Sequence, residues 1–382
     1  MTLRVAIEPE LLSWACQRAR WEHAVATKKF PKFDKWLSGD VQPTLKQVES
    51  FAKATHTPVG YLFLPEPPVE EVPIPDFRTV GNLEVQSPSP DLLDTVYVCQ
   101  QRQEWYQEFA RVNKFDEVPF VGTATVDDDV VETAARMREA LGFDLEQRRT
   151  VRTWEEALRL FVGHVDDSGV LVMINGVVGN NTHRKLDPEE FRGFALADPL
   201  APLIFINGAD SKSAQMFTLA HELAHLWSGE TALSDVTPAS RPTQKVERWC
   251  NQVAAEFLVP LELLKADYDP HEELEDQLKR LVRLYKVSSL VILRRLFDAR
   301  KLNRGDFDAA YSHEIARLKS LAKSSGGGDF YNMQNVRTGK RFARAVILNT
   351  LEGQTLYRDA FKLLGVSKQG TFQQLGDSLG VT

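Results

Sequence analysis

The N-terminal part of the chain combines helical spacing with a proline-rich stretch. In residues 11–19 and 45–52, apolar side chains recur three and four positions apart, which places them on one face of an α-helix. Residues 65–90 contain seven prolines, and proline is excluded from the interior of helices and of central strands. We therefore predict a small helical domain at 1–62 and an extended linker or strap at 63–90.

Farther along the chain, the pattern changes from helical to strand-like and back. Helical periodicity covers residues 91–114 and 130–141. GVLVMING (169–176) and PLIFING (202–208) are short apolar runs rich in Val and Ile, which is typical of buried strands. The second run leads into FTLAHELAHLWSG (217–229), for which we predict a helix.

The remaining pattern is mainly helical. A helix is predicted in TQKVERWCNQVAAEFLVP, where Pro260 ends it. More helical segments follow, and a glycine hinge at 326–328 interrupts a C-terminal helical region, 301–382. These elements predict an α+β fold that is predominantly helical, with one large domain at 91–300 whose core lies at 165–265.

Composition narrows the class of protein. A length of 382 residues suggests two or three domains, and 43% hydrophobic with 26% charged residues is ordinary for a globular chain. The net charge of −7 argues against a protein coated in nucleic acid, although a local basic patch is compatible with it. Three scattered cysteines suit a reducing compartment. Without a signal-peptide pattern or a long apolar run, we predict a soluble cytoplasmic protein that does not bind membranes.

The segment HELAH carries the clearest chemical signal. His221 and His225 are four residues apart, so on a helix they differ by about 40° around the axis and point the same way. Two imidazoles on one face can hold one zinc ion. Glu222 lies about 60° from His225, close enough to take a proton from an attacking water without binding the ion itself. This is the arrangement that metal-assisted hydrolysis needs.

An ordinary structural role competes with this interpretation. HExxH occurs by chance, and HEIAR at 313–317 is an example in which Arg317 replaces the second histidine. Uncharged intervening residues, apolar flanks and a preceding strand favour HELAH as a genuine site. The metzincin pattern does not continue, because Ser228 and Thr231 stand where that class needs Gly and His. A third ligand must come from elsewhere.

Glu247 is the best candidate for the third ligand. It begins the next predicted helix, as in zincins whose third ligand is a glutamate on the following helix. Asn251 shares its helix face and could hold a histidine ring by a hydrogen bond. Glu256 is the competing candidate, although nine residues turn it about 180° away from Glu247.

At this point the residues resemble a known family. FTLAHELAHLW, followed by ExxxN and a terminating LVP, resembles the ImmA/IrrE family of metallo-endopeptidases, and the lead-in APLIFING also fits. A small helical domain followed by GYLFLPEPPVEEVPIPDFRT looks like the long branch of that family, which carries an N-terminal XRE/Cro-like helix-turn-helix (HTH) domain. The resemblance covers nearly the whole chain and is most specific at 200–260 and 58–79.

The resemblance implies a gluzincin-like zincin domain with a small sheet. By position, it implies a Zn²⁺ ion held by His221, His225 and Glu247, with Glu222 as the catalytic base. Better-studied members of the family are linked to cleavage of an HTH repressor, and the long branch is linked to toxin–antitoxin-like gene pairs. The implied partner is therefore a protein, either a repressor or a toxin.

The N-terminal domain departs from a typical Cro-like HTH. Pro31 stands where the recognition helix should start, so only a short helix after it is expected. Basic residues suited to phosphate contacts cluster here, and residues 1–60 hold nine Lys/Arg against six Asp/Glu. The cluster consists of Lys28, Lys29, Lys32 and Lys35. Operator DNA is a candidate partner of residues 1–62, and a solvated face on a protein-binding domain is the alternative.

A few further residues could contribute to function. His183 and Arg184, in NNTHRKLD, could line the substrate cleft and stabilise an oxyanion, although an ordinary polar loop is the more common role. His164 is expected in a surface turn. Asp76, with Phe77 and Arg78, is expected to dock the linker onto the large domain.

Two functions remain open from the sequence. The first is a zinc endopeptidase that cleaves or binds a protein regulator in a stress or mobile-element response. The second is a DNA-binding regulator or antitoxin whose zincin domain serves as a protein-binding scaffold.

Overall fold

The computed structural model describes residues 3–76, 87–234, 244–321 and 337–381. The chain divides into two compact units. The first contains residues 1–73 and 83–97, and the second contains residues 74–82 and 98–382. The predicted domain boundaries, at 62, 90 and 300, rest on the sequence pattern and stay predictions.

The first unit is helical. Its helices are α1 (Pro9–Arg18), α2 (His23–Lys29), α3 (Phe33–Leu37) and α4 (Leu45–Ala54), followed by a 3-10 turn at Val59–Phe63. Phe33, Trp36 and Phe51 pack together in its core. As the position of Pro31 predicts, the helix after it is short. Residues 64–73 contain neither helix nor strand, in keeping with their proline content.

The second unit is built mostly of helices around a small sheet, and α5 (Pro90–Val112) runs into it from the first unit. The helices of its central part are α6 (Val130–Ala140), α7 (Leu145–Thr150), α8 (Trp154–Asp167), α9 (Lys212–Ser228), α10 (Lys245–Leu258), α11 (Leu261–Asp267), α12 (Leu274–Tyr285), α13 (Ser289–Asp298) and α14 (Arg304–Leu321). The prediction of a predominantly helical α+β fold is confirmed. Among the described residues, no helix is both long and apolar enough to cross a bilayer.

The sheet is mixed and lies beside α9. Its strands are β1 (Leu171–Asn175), β4 (Gly193–Leu196), β5 (Leu203–Asn207) and β6 (Ala232–Ser234), in the order β1-β5-β4-β6. β1 and β5, the two strands predicted from apolar runs, are parallel and buried throughout. β4 inserts beside β5 and pairs antiparallel with both β5 and β6. β2 (Val177–Val178) and β3 (Asn181–Lys185) form a separate two-stranded sheet.

Local signals set the ends of α9. Ser211 accepts a hydrogen bond from the Ala214 amide at the first turn, and Gly229 ends the helix in the left-handed conformation at φ +73°. Between these ends α9 packs on β4, β5, α8 and α10. Trp227 stacks on Phe120 with 3.8 Å between ring centroids, so the end of the helix is also held from outside the sheet.

Arginines hold the far end of α10. Its last carbonyl groups have no partner within the helix and need donors from elsewhere. Arg138 donates to the carbonyls of Glu256 and Phe257, Arg148 to that of Leu258, and Arg295 to that of Val259. These bonds fix α10 in position, and α10 carries Glu247.

The C-terminal helices pack on the edge of the sheet. They are α15 (Lys340–Leu351), α16 (Tyr357–Leu364) and α17 (Gln369–Ser378), and α15 contacts β1. Arg102 donates to the Leu363 carbonyl at 3.0 Å, and Trp105 meets Phe342 edge-to-face. The predicted hinge at 326–328 lies outside the described residues.

One local prediction was wrong. His164 does not lie in a surface turn, because α8 continues through Asp167. Its Nδ1 is 3.0 Å from the Leu141 carbonyl oxygen, and its ring meets Phe143 edge-to-face. Val165, which follows His164, is part of the buried face of α8, so the helix includes the histidine and ends at Asp167.

Candidate metal centre

His221, His225 and Glu247 come together where α9 packs against α10. One donor atom from each lies within 4.8 Å of the others. His221 Nε2 is 3.1 Å from His225 Nε2 and 3.4 Å from Glu247 Oε2, and His225 Nε2 is 2.9 Å from Glu247 Oε1. All three residues are buried. Two helices therefore supply three donor atoms directed at one point.

These distances fit a metal ion. With bonds of 2.0–2.1 Å, the ligand atoms around a tetrahedral zinc lie about 3.3 Å apart. The three observed distances, 2.9, 3.1 and 3.4 Å, are close to that value. Two imidazoles and a carboxylate are also the donor set of one class of catalytic zinc site.

Asn251 orients the first histidine. His221 Nδ1 lies 3.1 Å from Asn251 Oδ1, and because an amide oxygen only accepts, Nδ1 carries the proton. The lone pair of the ring is then on Nε2, which faces His225 and Glu247. Asn251 lies four residues after Glu247 on the same face of α10, and the sequence predicted from this spacing that it could hold a histidine ring.

Burial and charge determine the protonation states of the donors. Burial lowers the pKa of His225, which keeps its ring neutral and able to donate a lone pair. Burial by itself would raise the pKa of Glu247, but the His221 and His225 imidazoles outweigh it and hold that pKa well below its usual range. Burial thus favours the neutral ring of His225, and the neighbouring imidazoles favour the carboxylate anion of Glu247.

Glu222 lies beside the three donors but has different surroundings. It is fully buried, and neither carboxylate oxygen has a partner at hydrogen-bond geometry within the described residues. Burial raises its pKa well above the usual value, the Glu247 carboxylate raises it further, and the nearby Ser234 hydroxyl opposes this rise only weakly. A buried carboxylate without a partner is costly, so a role at the site is the simplest physical reason for it.

Gly193 on β4 makes room for this arrangement, and sequence analysis did not identify it. A Cβ at this position would be 2.6 Å from Thr218 Cγ2 and 3.2 Å from Glu222 Oε1. Only glycine lets β4 approach α9 so closely. A glycine inside a strand is a known sign of close approach, but β4 itself was not predicted.

Ser234 on β6 was also missed. Its hydroxyl donates to Glu247 Oε1 at 3.4 Å and lies 3.3 Å from His225 Nε2. A single serine in a polar stretch gives no sequence signal for such a position. The contact depends on the pairing of β6 with β4.

The structure separates Glu256 from the donors. Its carboxylate forms an ion pair with Arg295, and both side chains are buried. It also accepts a hydrogen bond from the Leu261 amide. The competing candidate therefore has a structural role at the end of α10. Glu314 of the HEIAR segment is similarly engaged, by Arg317 and Ser289.

The other candidates lie on separate elements. His183 and Arg184 belong to β3, a strand where a loop was the ordinary expectation, and the His183 side chain is exposed. They are not members of the buried donor group. Asp76 forms an isolated bridge with Leu233 of β6, whereas Phe77 and Arg78 lie outside the described residues. The four lysines at 28, 29, 32 and 35 are all exposed on or beside α2 and α3.

Comparison with known proteins agrees with this geometry. Residues 165–297 match the model of a peptidase family, described as the IrrE N-terminal-like domain. This part of the chain is similar to that domain and is called the IrrE-like domain below. The match supports the resemblance to the ImmA/IrrE family and a zincin-like metallopeptidase fold, and that family implies a metal ion.

The IrrE-like domain contains α9, α10 and the whole four-stranded sheet. Residues 338–378 match a second model, a domain of unknown function (DUF8813), which covers α15–α17. No curated protein matches the chain.

Proposed function

We propose that the chain is a zinc-dependent endopeptidase that acts on a protein regulator. His221, His225 and Glu247 would hold the ion, and Glu222 would act as general base. The observation that carries the proposal is the buried Glu222 carboxylate, which lies beside the three donors without a hydrogen-bond partner in the described chain. A purely structural zinc site has no need for such a group.

The residues have distinct tasks in peptide hydrolysis. Bound zinc would polarise the scissile carbonyl and acidify the attacking water. Glu222 would take a proton from that water at a carboxylate oxygen and pass it to the departing amine nitrogen. Asn251 would keep His221 Nε2 directed at the centre through its contact with Nδ1. Burial of the site makes each of these electrostatic interactions stronger than it would be in water.

The substrate class is a protein in this proposal. The family resemblance points to a repressor or a toxin in a stress or mobile-element response, and we expect the reaction to take place in the cytoplasm. The three cysteines are free and buried, which suits a reducing compartment.

Replacing Glu222 by Gln tests the catalytic role. We expect the variant to fold and to bind about one zinc per chain, like the wild type, because the side chain is nearly isosteric and is not a ligand. Cleavage of the partner protein should fall by about a hundredfold or more, since the proton acceptor is removed. Zinc content by mass spectrometry and cleavage by gel electrophoresis measure the two effects.

The second candidate function is a DNA-binding regulator or antitoxin in which the IrrE-like domain grips a partner without cleaving it. Exposed lysines on a separate compact unit favour it. The short length of α3 argues against DNA recognition. Its five residues extend only about 7.5 Å and offer few side chains to a DNA groove. Equal biological output from the wild type and from Glu222→Gln, at equal zinc content, would select this function over the first.

A further inference from the structure

The Ser234 hydroxyl lies among the donor atoms of the candidate centre. It is 3.3 Å from His225 Nε2 and 3.4 Å from Glu247 Oε1, and its side chain is fully buried. Ligand atoms around one tetrahedral zinc are separated by about 3.3 Å. The distances from the hydroxyl to these two ligand atoms are therefore those expected between ligands of one zinc ion, and the two ligand atoms themselves are 2.9 Å apart.

The hydrogen bond from Ser234 leaves the hydroxyl oxygen able to donate a lone pair to a metal ion. Ser234 donates its proton to Glu247 Oε1, and a hydroxyl has two further lone pairs on the same oxygen. We propose that Ser234 is a fourth, internal donor at the metal centre, so that the protein's own side chain takes the position that substrate or water needs. The inference rests on the proposed function, because it requires a metal ion held by the other three residues.

Strand pairing explains how Ser234 reaches this position. β6 pairs antiparallel with β4, with Ser234 opposite Gly193 and Leu233 opposite Phe194. On its other side, the Leu233 amide donates to the Pro75 carbonyl at 2.9 Å. The short strand is thus bonded to backbone on both sides, and this fixes the direction of the serine side chain.

By pairing with β4, β6 occupies a sheet edge at which a peptide could bind. Extended peptides commonly bind by adding a strand to a free sheet edge. The edge of β4 next to Glu222 suits such a strand, because Gly193 brings that backbone close to the carboxylate. β6 already pairs with this edge. A peptide that pairs with β4 must displace β6, and displacement of β6 also withdraws Ser234 from the centre.

Burial of the site is consistent with a latent state, in which β6 pairs with β4 and Ser234 occupies the fourth position at the metal. His221, Glu222, His225 and Ser234 are 0% exposed, and Glu247 is 2% exposed. A centre in this state can bind its ion but offers no position to a protein substrate. Activity would then depend on a partner or substrate that exchanges with β6.

The proposal can be tested by the cobalt spectrum of the full-length protein. In Ser234→Cys, loaded with Co²⁺ in place of zinc, a thiolate at position 234 should bond to the metal. This bond produces a near-ultraviolet sulfur-to-cobalt charge-transfer band that the wild type lacks. Ser228→Cys is the matched control, because Ser228 also bonds near the centre, to the His225 carbonyl, but does not contact a donor atom. Its spectrum should equal that of the wild type.

Ser234→Ala provides an independent measurement. Without the internal donor, the fourth position is open, so azide should alter the visible spectrum of the cobalt protein at a concentration at least about tenfold lower than for the wild type. Absence of the charge-transfer band in cobalt-loaded Ser234→Cys would overturn the proposal. If that variant does not fold, equal azide responses of the wild type and Ser234→Ala would overturn it instead.

The outcomes separate this inference from the proposed function. If the wild type binds no Co²⁺, there is no metal centre and both proposals fail. If it binds Co²⁺ but the Ser234 variants behave like the wild type, only the internal donor is excluded. In that case the peptidase proposal still depends on the Glu222→Gln result.

Discussion

At the scale of single residues, two glutamates of α10 have opposite roles. Glu247 contacts both histidines of the centre, whereas Glu256 is paired with Arg295. They lie on the same helix and differ in what surrounds them. This makes them a matched pair for separating metal binding from stability.

We expect Glu247→Gln to weaken zinc binding by about a hundredfold or more, because it removes the anionic donor. Glu256→Gln should leave zinc binding unchanged but lower the free energy of unfolding of the metal-free protein by about 2–3 kcal/mol, because the buried Arg295 loses its nearest carboxylate and keeps only Asp298, 3.6 Å away. Zinc titration and denaturant unfolding of the metal-free variants measure the two effects. Full zinc occupancy in Glu247→Gln would exclude Glu247 as a ligand.

At the scale of elements, a glycine joins the C-terminal helices to the sheet. Gly339 precedes α15 with φ +76°, and a Cβ there would be 2.7 Å from the Val172 carbonyl oxygen of β1. Gly353 follows α15 with the same φ of +76° but with no atom within 4 Å of a Cβ. The two positions share a positive φ, but Gly339 has ψ 137°, outside the left-handed helical region, and it alone has the steric contact.

Replacement of either glycine by Ala should destabilise the protein, but to different extents. Gly353→Ala should cost about 1–2 kcal/mol, the ordinary penalty of a left-handed alanine. Gly339→Ala should cost clearly more, since α15 must also move away from β1. Thermal unfolding of both variants tests this comparison, and equal melting temperatures would show that the contact between α15 and β1 contributes little.

At the scale of the whole molecule, the division into two units bears on the choice between a peptidase and a DNA-binding regulator. The exposed lysines lie in the first unit and the donor cluster lies in the second. Each function can therefore be removed without touching the residues of the other.

If the four lysines at 28, 29, 32 and 35 contact DNA phosphates, affinity for the protein's own promoter region should fall steeply with salt. Changing all four to Ala should flatten the slope of log K against log salt by about one unit for each lysine–phosphate ion pair that is removed. Lys46→Ala with Lys53→Ala, two exposed changes on α4, controls for the reduced positive charge of the same unit. No binding by the wild type at low salt would leave this unit as a protein-binding module.

Local patterns in the sequence were sufficient for the elements that carry the donors. The spacing of His221 and His225 predicts a shared helix face, and the apolar runs predict β1 and β5, because helical and strand periodicity are properties of neighbouring residues. The helix-ending role of Pro260 is equally local. The α+β fold class followed from these signals.

Tertiary structure decided what local patterns leave open. Only the packing of α10 places Glu247 at the histidines and Glu256 at Arg295, since the partner of each carboxylate is distant in sequence. Likewise, β4 and β6 are short strands whose residues signal little by themselves, and their pairing brings Gly193 and Ser234 to the centre. Strand pairing and buried charge depend on contacts between distant segments, so these features required the folded chain.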